Sequence, residues 1–456
     1  MCVILLLLIL FICTSCNESC VNRLEYISHT LELDSISVHP ISHKHWRKIE
    51  LRDICHNSID SIRPKTAVLI SSDYELDSLV FPPDVELCFC GGSLKGDITF
   101  NGTLLSGKVR LHGSTIHGTI ENDVFEAGWL CVGNGIQDDA NNINQILRVA
   151  NTIHFNKGTY LLASNHSPQT TLAEKYHKAV DSHIGIYRDG ISLLGEDGAS
   201  FMIKDSTVAI SIYSKPNDIK NSVKNVRIDG LTFRVENNGR NFFEYIHTIK
   251  LLGVNKCVIS NCKFFDFWGD AISLSHYGDI PETGERTRNS HIRISNNYID
   301  GGNHNNRNGI SIINGYDVTI ENNMLIETSK HNMPGSIDVE ANNTAYTIDR
   351  ILIKNNIISG CDGGLGSIGI VSNKNEAPAN NIIIQGNLIL HSSKGICLLI
   401  DSQNASGNIK IIDNQFVDCP NPLIIRGNGK CRNVVIKQTD YESINIKGSV
   451  DVNSLN

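Results

Sequence analysis

The sequence predicts an all-β protein, a right-handed parallel β-helix (a solenoid) with a short N-terminal capping helix. Three observations carry that prediction. One motif recurs seven times through the second half of the chain. A second alternating apolar strand follows downstream of the copies. The composition suits stacked short strands, with 41% hydrophobic residues, 37 Gly and only 19% charged residues.

At 456 residues the chain can bury a large core without staples, and its supply of Ile, Val and Leu excludes intrinsic disorder. A net charge of −8 with no basic tract argues against a nucleic-acid partner. A polytopic membrane protein is excluded as well, because only one long apolar run exists.

That run, Val3 to Ile12, opens the chain. Ten residues are about half of the ~20 that a spanning helix needs, and they match the apolar region of a signal peptide. Small and polar residues follow, Cys13-Thr14-Ser15-Cys16 and then Asn17-Glu18-Ser19. This resembles the cleavage box of bacterial lipoproteins, which implies a signal peptide over 1–16 and lipidation of Cys16. The expected address is an outer-membrane or cell-surface lipoprotein, or a periplasmic protein, meeting the membrane through its lipid anchor only. A plain secretory signal is the other reading, and export follows from both. The remaining cysteines show no CxxC pair and no zinc spacing, so a sulfur-built metal site is not expected. The nearest pairs are Cys88 with Cys90 and Cys257 with Cys262.

Residues 20–125 read as short strands punctuated by Gly, as in Gly91-Gly92-Ser93-Leu94 and Ser106-Gly107-Lys108-Val109. A capping helix and a first coil are expected over 126–170. Ile143, Ile146, Leu147 and Ala150 fall at helical spacing, behind an Asp able to cap the N-terminus. Thr152 to Ser164 returns to strand.

Repeated coils are expected over 171–456. The motif reads Ile292-Arg293-Ile294-Ser295-Asn296-Asn297-Tyr298-Ile299, and again Val318-Thr319-Ile320-Glu321-Asn322-Asn323-Met324-Leu325. Its last apolar residues are Phe233, Phe264, Ile299, Leu325, Ile358, Ile389 and Phe416, at separations of 31, 35, 26, 33, 31 and 27. Irregular separations with constant internal register mark structural coils with loops of varying length. Alternation places Ile228, Ile259, Ile294, Ile320, Ile353, Ile384 and Ile411 on one face. One such rung cannot bury its apolar side alone, whereas stacked rungs form a continuous column. The second Asn of each pair is expected to take the left-handed turn, and its amide to form a ladder. Cys257 and Cys262 fall at buried packing positions of this pattern. The downstream strands, such as Ala271-Ile272-Ser273-Leu274-Ser275 and Ser336-Ile337-Asp338-Val339-Glu340, keep the same register.

Gly133 to Ser164 resembles the "GDGVTDD-helix-FPPGTY" opening of the pectate-lyase-like β-helix superfamily. Gly335-Ser336-Ile337-Asp338-Val339-Glu340-Ala341-Asn342 is similar to its "GIDIEPN" motif. The resemblance covers about three quarters of the chain. It implies a carbohydrate-directed protein in which Asp138 and Asp139 are structural, but the group contains lyases, hydrolases, epimerases and tailspike-like binders.

Long carbohydrates lie across outward strand faces, so the outward positions of the downstream strand are the informative column. Asp338 and Glu340 point outward from one strand, with backbones ~6.5–7 Å apart. That spacing suits acid/base chemistry on a glycan, or a Ca²⁺ held by carboxylate oxygens. The loops entering the strands stack beside them and bring Trp268 and Asp270, then His304, Arg307 and Asn308, then Lys330 and His331. Asp338, Glu340, Asp270 and His331 are the catalytic candidates. Trp268, as a sugar-stacking indole, and His304, Arg307, Asn308 and Lys330 are the substrate-binding candidates, the cations to neutralise a uronate. Gly269-Asp270-Ala271 resembles the Gly-Asp-Asp segment of polygalacturonase-like hydrolases, with Ala271 in place of its second Asp. Two readings stay open. One is a polysaccharide lyase or glycoside hydrolase acting on a polysaccharide or oligosaccharide, with a uronic-acid-containing glycan expected. The other is a noncatalytic glycan-binding or structural surface lipoprotein. A groove of polar side chains flanked by Trp268 would favour the enzyme, and a flat apolar or sealed face the binder.

Overall fold

The computed structural model describes residues 46–55, 62–165, 181–204, 207–213, 222–236, 242–276, 288–302, 305–374, 376–401, 406–429, 431–437, 444–448 and 454–455. Cys16 and His304 lie outside the described residues.

Alternating aliphatic residues make strands, and the strands stack as a parallel β-helix. The full coils contribute one strand to each of three parallel sheets. The coil bearing Trp268 is typical, with Val254–Ser260 in sheet I, Lys263–Phe265 in sheet II and Asp270–Ser275 in sheet III. Among the described residues sheet I holds twelve strands, and sheets II and III ten each. The repeated motif therefore spans two strands rather than one, with the Asn pair at the corner between them.

The corner explains the repeat. Its first residue, Asn261, Asn296, Asn322 or Asn355, has φ of 54°, 58°, 55° and 55°. This corrects the expectation that the second Asn takes the left-handed turn. Gly230 fills the corner one coil earlier at φ 73°, where a Cβ would lie 2.3 Å from the Gly195 carbonyl oxygen. The second Asn points inward as the expected ladder. Asn297 Nδ2 donates to Asn323 Oδ1 at 2.9 Å, and the same bond joins Asn323 to Asn356, Asn356 to Asn387 and Asn387 to Asn414. Each Oδ1 also accepts a backbone N–H of the preceding coil, and each Nδ2 also donates to a carbonyl there, as Asn297 does to Ile259. Inside the coil every polar group must find such a partner, because no water competes.

Around the ladder the core is columnar. Ile228, Ile259, Ile294, Ile320, Ile353, Ile384 and Ile411 pair in register across sheet I and are fully buried. Each contributes about 1.5–3 kcal/mol relative to exposure. Cys257 and Cys262 are buried in this core as free thiols.

The N-terminal strands form a further parallel sheet. The helix Ala140–Val149 stands beside it and beside Ser182–Ile186, the end strand of sheet III. Its Asn144 donates from Nδ2 to the His183 carbonyl at 2.7 Å and accepts the Gly185 N–H at 3.0 Å, while Gln145 Oε1 accepts the Ile116 N–H. Backbone groups that an unpaired edge would expose are thus satisfied by one helix. Asp138 accepts the Ala140 N–H and Asp139 accepts those of Val132 and Gly133, so both carboxylates are structural.

A buried charge cluster as candidate active site

Sheet III aligns an outward column of Ser211, Lys250, Ser273, Ser311, Asp338 and Gly369. Alternation turns these side chains away from the core, yet Ser211, Ser273 and Ser311 are fully buried and Asp338 is 1% exposed. The column is therefore the floor of a covered trough. Glu340, one outward step beyond Asp338, is half-buried, as is Lys250.

Arg307 organises the floor. Its Nη1 donates to both oxygens of the fully buried Asp270, at 3.0 and 3.2 Å. Its Nη2 lies 3.7 Å from Asp338 Oδ2, and its Nε lies 3.7 Å from Glu244 on the rim. One guanidinium thus links two buried carboxyls to a third that meets solvent. Ser311 Oγ donates to Asp270 Oδ2 at 2.6 Å, and Ser273 and Ser275 continue the hydroxyl chain at 3.0 and 2.8 Å. Each hydroxyl has one proton, so Ser311's bond to Asp270 sets the direction of the rest. His247 Nδ1 lies 3.2 Å from Asp270 Oδ2, but it accepts the Asp270 N–H at 3.1 Å and has no proton to give the carboxylate. Burial holds its pKa down at about 4 against the pull of Asp270, so the ring is neutral at pH 7.

Protonation separates the carboxyls. Burial, and then the charge of Glu340, push Asp338 up to about 8 despite Arg307. Glu340 is raised as well, by burial and by Glu376, while the Asn373 amide donates to it at 3.2 Å. The two titrate as a pair, which holds a proton near neutral pH, and Asp338 Oδ1 has no hydrogen-bond partner. Burial likewise lowers Lys250 to about 8, opposed by Asp270.

The structure thus brings Asp270, Arg307, Asp338 and Glu340 together, and parts the others from them. Trp268 is 8% exposed, with Phe243 packed edge-on at 5.4 Å, so it corrects the expectation of an open sugar platform. Tyr245, 74% exposed next to Glu244, presents an open ring instead. His331 turns to solvent, 76% exposed and 3.8 Å from Asp362, with no hydrogen bond or ion pair to the cluster among the described residues. Lys330 sits over the Phe242 ring at 4.2 Å rather than in the trough. Asn308 is fully buried and accepts the Gly335 N–H, a bond that holds a loop. Arg307 is engaged by protein carboxylates rather than waiting for a uronate. Among the described residues no group of three or more acidic, His or Cys side chains is arranged for a metal ion.

Sequence reasoning missed Lys250, His247 and Glu244. Lys250 did carry a signal, a lone charge between Ile249 and Leu251 in an otherwise apolar alternation. The segment lacks the Asn pair that flags the other coils, so its register was not apparent.

Fold and site together define a parallel β-helix protein with a covered acid–base cluster on sheet III. No family model matches the chain, and no curated protein matches its sequence. Solved structures similar to it include an alginate lyase from Paenibacillus sp. str. FPU-7, at 11% identity and TM-score 0.41, covering 68% of this chain and 97% of that one. PfbA, a surface adhesin of Streptococcus pneumoniae, is similar at 13% identity and TM-score 0.44, with 71% and 91% covered. A family 28 exopolygalacturonase of Yersinia enterocolitica is similar at 12% identity and TM-score 0.40, with 87% and 79% covered. What the chain does rests on its own side chains.

Proposed function

We propose that this chain is a polysaccharide-active enzyme that cleaves a glycan by acid-assisted hydrolysis in the sheet III trough. One observation carries the reading. Asp338 and Glu340 hold a proton near neutral pH beside Asp270, a carboxylate committed to Arg307. Carboxyl groups whose surroundings push their protonation apart are the requirement for general acid chemistry at a glycosidic oxygen. Glu340 reaches the opening and delivers the proton. Asp338, behind it, keeps the pair protonated. Tyr245 on the rim offers a flat apolar face for a sugar ring.

Lys250 favours a second reading. An amine with its pKa lowered to about 8 is partly neutral at mildly alkaline pH, and can abstract a proton α to a uronate carboxylate in β-elimination. Digestion of a panel of neutral and uronate-containing glycans separates the readings. Hydrolysis yields reducing ends without near-ultraviolet absorbance, and Glu340→Gln removes them. Unsaturated products that disappear in Lys250→Met would establish elimination. A glycan retained equally by the wild type, Glu340→Gln and Lys250→Met, with no product from any, would make the protein a binder. Export, with Cys16 as the lipid anchor, accompanies this proposal, and loss of fatty-acid labelling in Cys16→Ser tests it.

A further inference from the structure

A second reactive site lies on the N-terminal sheet, outside the trough. Cys88 belongs to strand Val85–Phe89, and Cys90 follows its end. Residues two apart on a strand share a face, and here both thiols are outside the core, Cys88 half-buried and Cys90 exposed. Their sulfurs are 3.6 Å apart. The other described free cysteines are buried, except the half-buried Cys419.

Local backbone holds the pair together. The Cys90 and Gly92 N–H groups both donate to the Ile70 carbonyl, at 2.9 and 3.1 Å. Gly91 between them has φ 113°, and a Cβ on Gly92 would lie 2.1 Å from the Ser72 carbonyl oxygen. Only glycines fit this turn, which pins Cys90 immediately after the strand. Bonded sulfurs sit about 2.05 Å apart, so closure asks the thiols to approach by roughly 1.5 Å. An extended two-residue span of ~6.6 Å lies near the upper end of the Cα separation that a disulfide accepts. The bond is geometrically reachable yet strained, and strained, exposed disulfides are the readily reduced ones.

We propose that Cys88 and Cys90 are a reversible thiol–disulfide exchange site, oxidised by small-molecule disulfides and reduced by small-molecule thiols. In the forward direction the Cys90 thiolate attacks one sulfur of a disulfide RSSR, breaks its S–S bond and releases RS⁻. The Cys88 thiolate then attacks Cys90 Sγ in the mixed disulfide and releases the second RS⁻. Two protein thiols have been oxidised, one RSSR has become two RSH, and the protons from the cysteines are taken up by the leaving thiolates. Cys90 is the entry point because it is the exposed member. Its pKa is raised, by burial and by the hydrogen bond with Cys88, so the site is one of exchange rather than of a hyperactive nucleophile.

The test equilibrates the full chain with mixtures of oxidised and reduced glutathione, blocks free thiols and maps the cysteines by mass spectrometry. The expected product is an intramolecular Cys88–Cys90 disulfide, reversed by excess reduced glutathione, with the buried Cys257, Cys262 and Cys361 unmodified. Cys88→Ser should instead trap a stable glutathione adduct on Cys90. A wild type carrying only glutathione adducts on separate cysteines would overturn the proposal. So would a Cys88–Cys90 bond that resists reduced glutathione as a structural disulfide does.

Discussion

Asp338 is the residue with the clearest physical signature. Its folded pKa lies near 8 against an ordinary value of 3.8, so between those limits the folded state holds a proton that the unfolded state has lost. Stability therefore falls as pH rises from about 4 to about 8, at up to about 1.4 kcal/mol per unit from this group. Asp338→Asn keeps the shape and removes the titration. Its stability relative to wild type should grow across that window, read as paired denaturation midpoints at successive pH values. His247 works in the opposite sense, since its lowered pKa makes stability rise with pH up to its ordinary value of 6.5. The comparison of two chains that both keep His247 cancels that term. A flat difference between them would show that Asp338 is ionised in the fold. Arg307 gives the complementary case. Arg307→Ala strands the carboxylate of Asp270 in a fully buried place, and should cost about 3–5 kcal/mol in chemical denaturation. Arg307→Lys should recover part of this, since one ammonium restores a charge but cannot touch Asp270, Asp338 and Glu244 together. If alanine is tolerated without loss, the ion pair is not what fixes the floor.

At the scale of the element, each coil announces itself locally. The alternating Ile pair and the inward second Asn are neighbours in sequence, so strand and ladder were legible from single copies, whereas the left-handed turn expected at the second Asn belongs to the first. Stacking then followed, because strands in constant register must place Ser273, Ser311 and Asp338 in one column. Asp270, Arg307, Asp338 and Glu340 could be grouped in this way from the sequence, though together with Trp268, His304, Asn308, Lys330 and His331. Burial could not. Whether Trp268 faces solvent depends on Phe243, which arrives from a segment without the motif, and the Arg307–Glu244 contact depends on the same segment. His331 and Lys330 show the converse limit. Their loop is at the expected edge, but loop backbone decides where its side chains turn, and these turn to Asp362 and Phe242. The covered floor also divides the criterion set by the sequence, for the trough is polar, as an enzyme requires, while its base is sealed and Trp268 does not flank it. The polar lining supports the proposed chemistry and the sealed base supports the binder, and burying Asp338, Asp270 and Arg307 costs stability that a purely structural face would avoid by using apolar residues.

At the scale of the whole molecule, a solenoid is nearly one-dimensional, and each coil is held chiefly by its neighbours. The site spans three consecutive coils, since Asp270, Arg307 and Asp338 lie on or before successive strands of sheet III. Asn297 stitches those three coils from inside, accepting the Cys262 N–H from the first and donating to Asn323 of the third. Asn414 makes a comparable set of bonds far along the ladder, to Asn387 and to the Ile384 carbonyl. Alanine at either position orphans similar buried groups, and each should cost about 1–3 kcal/mol. Their effects on function should nevertheless differ. Asn297→Ala loosens the spacing between the carboxyls and should lower turnover roughly tenfold, as small misplacements in a reacting constellation do. Asn414→Ala should leave turnover within about twofold of wild type, because nearest-neighbour coupling fades before it reaches the trough. Both variants are to be compared well below their melting temperatures on the glycan that the panel identifies. Equal losses of turnover would mean that the coils yield as one body, and that the trough owes its geometry to the entire winding rather than to the three turns that line it.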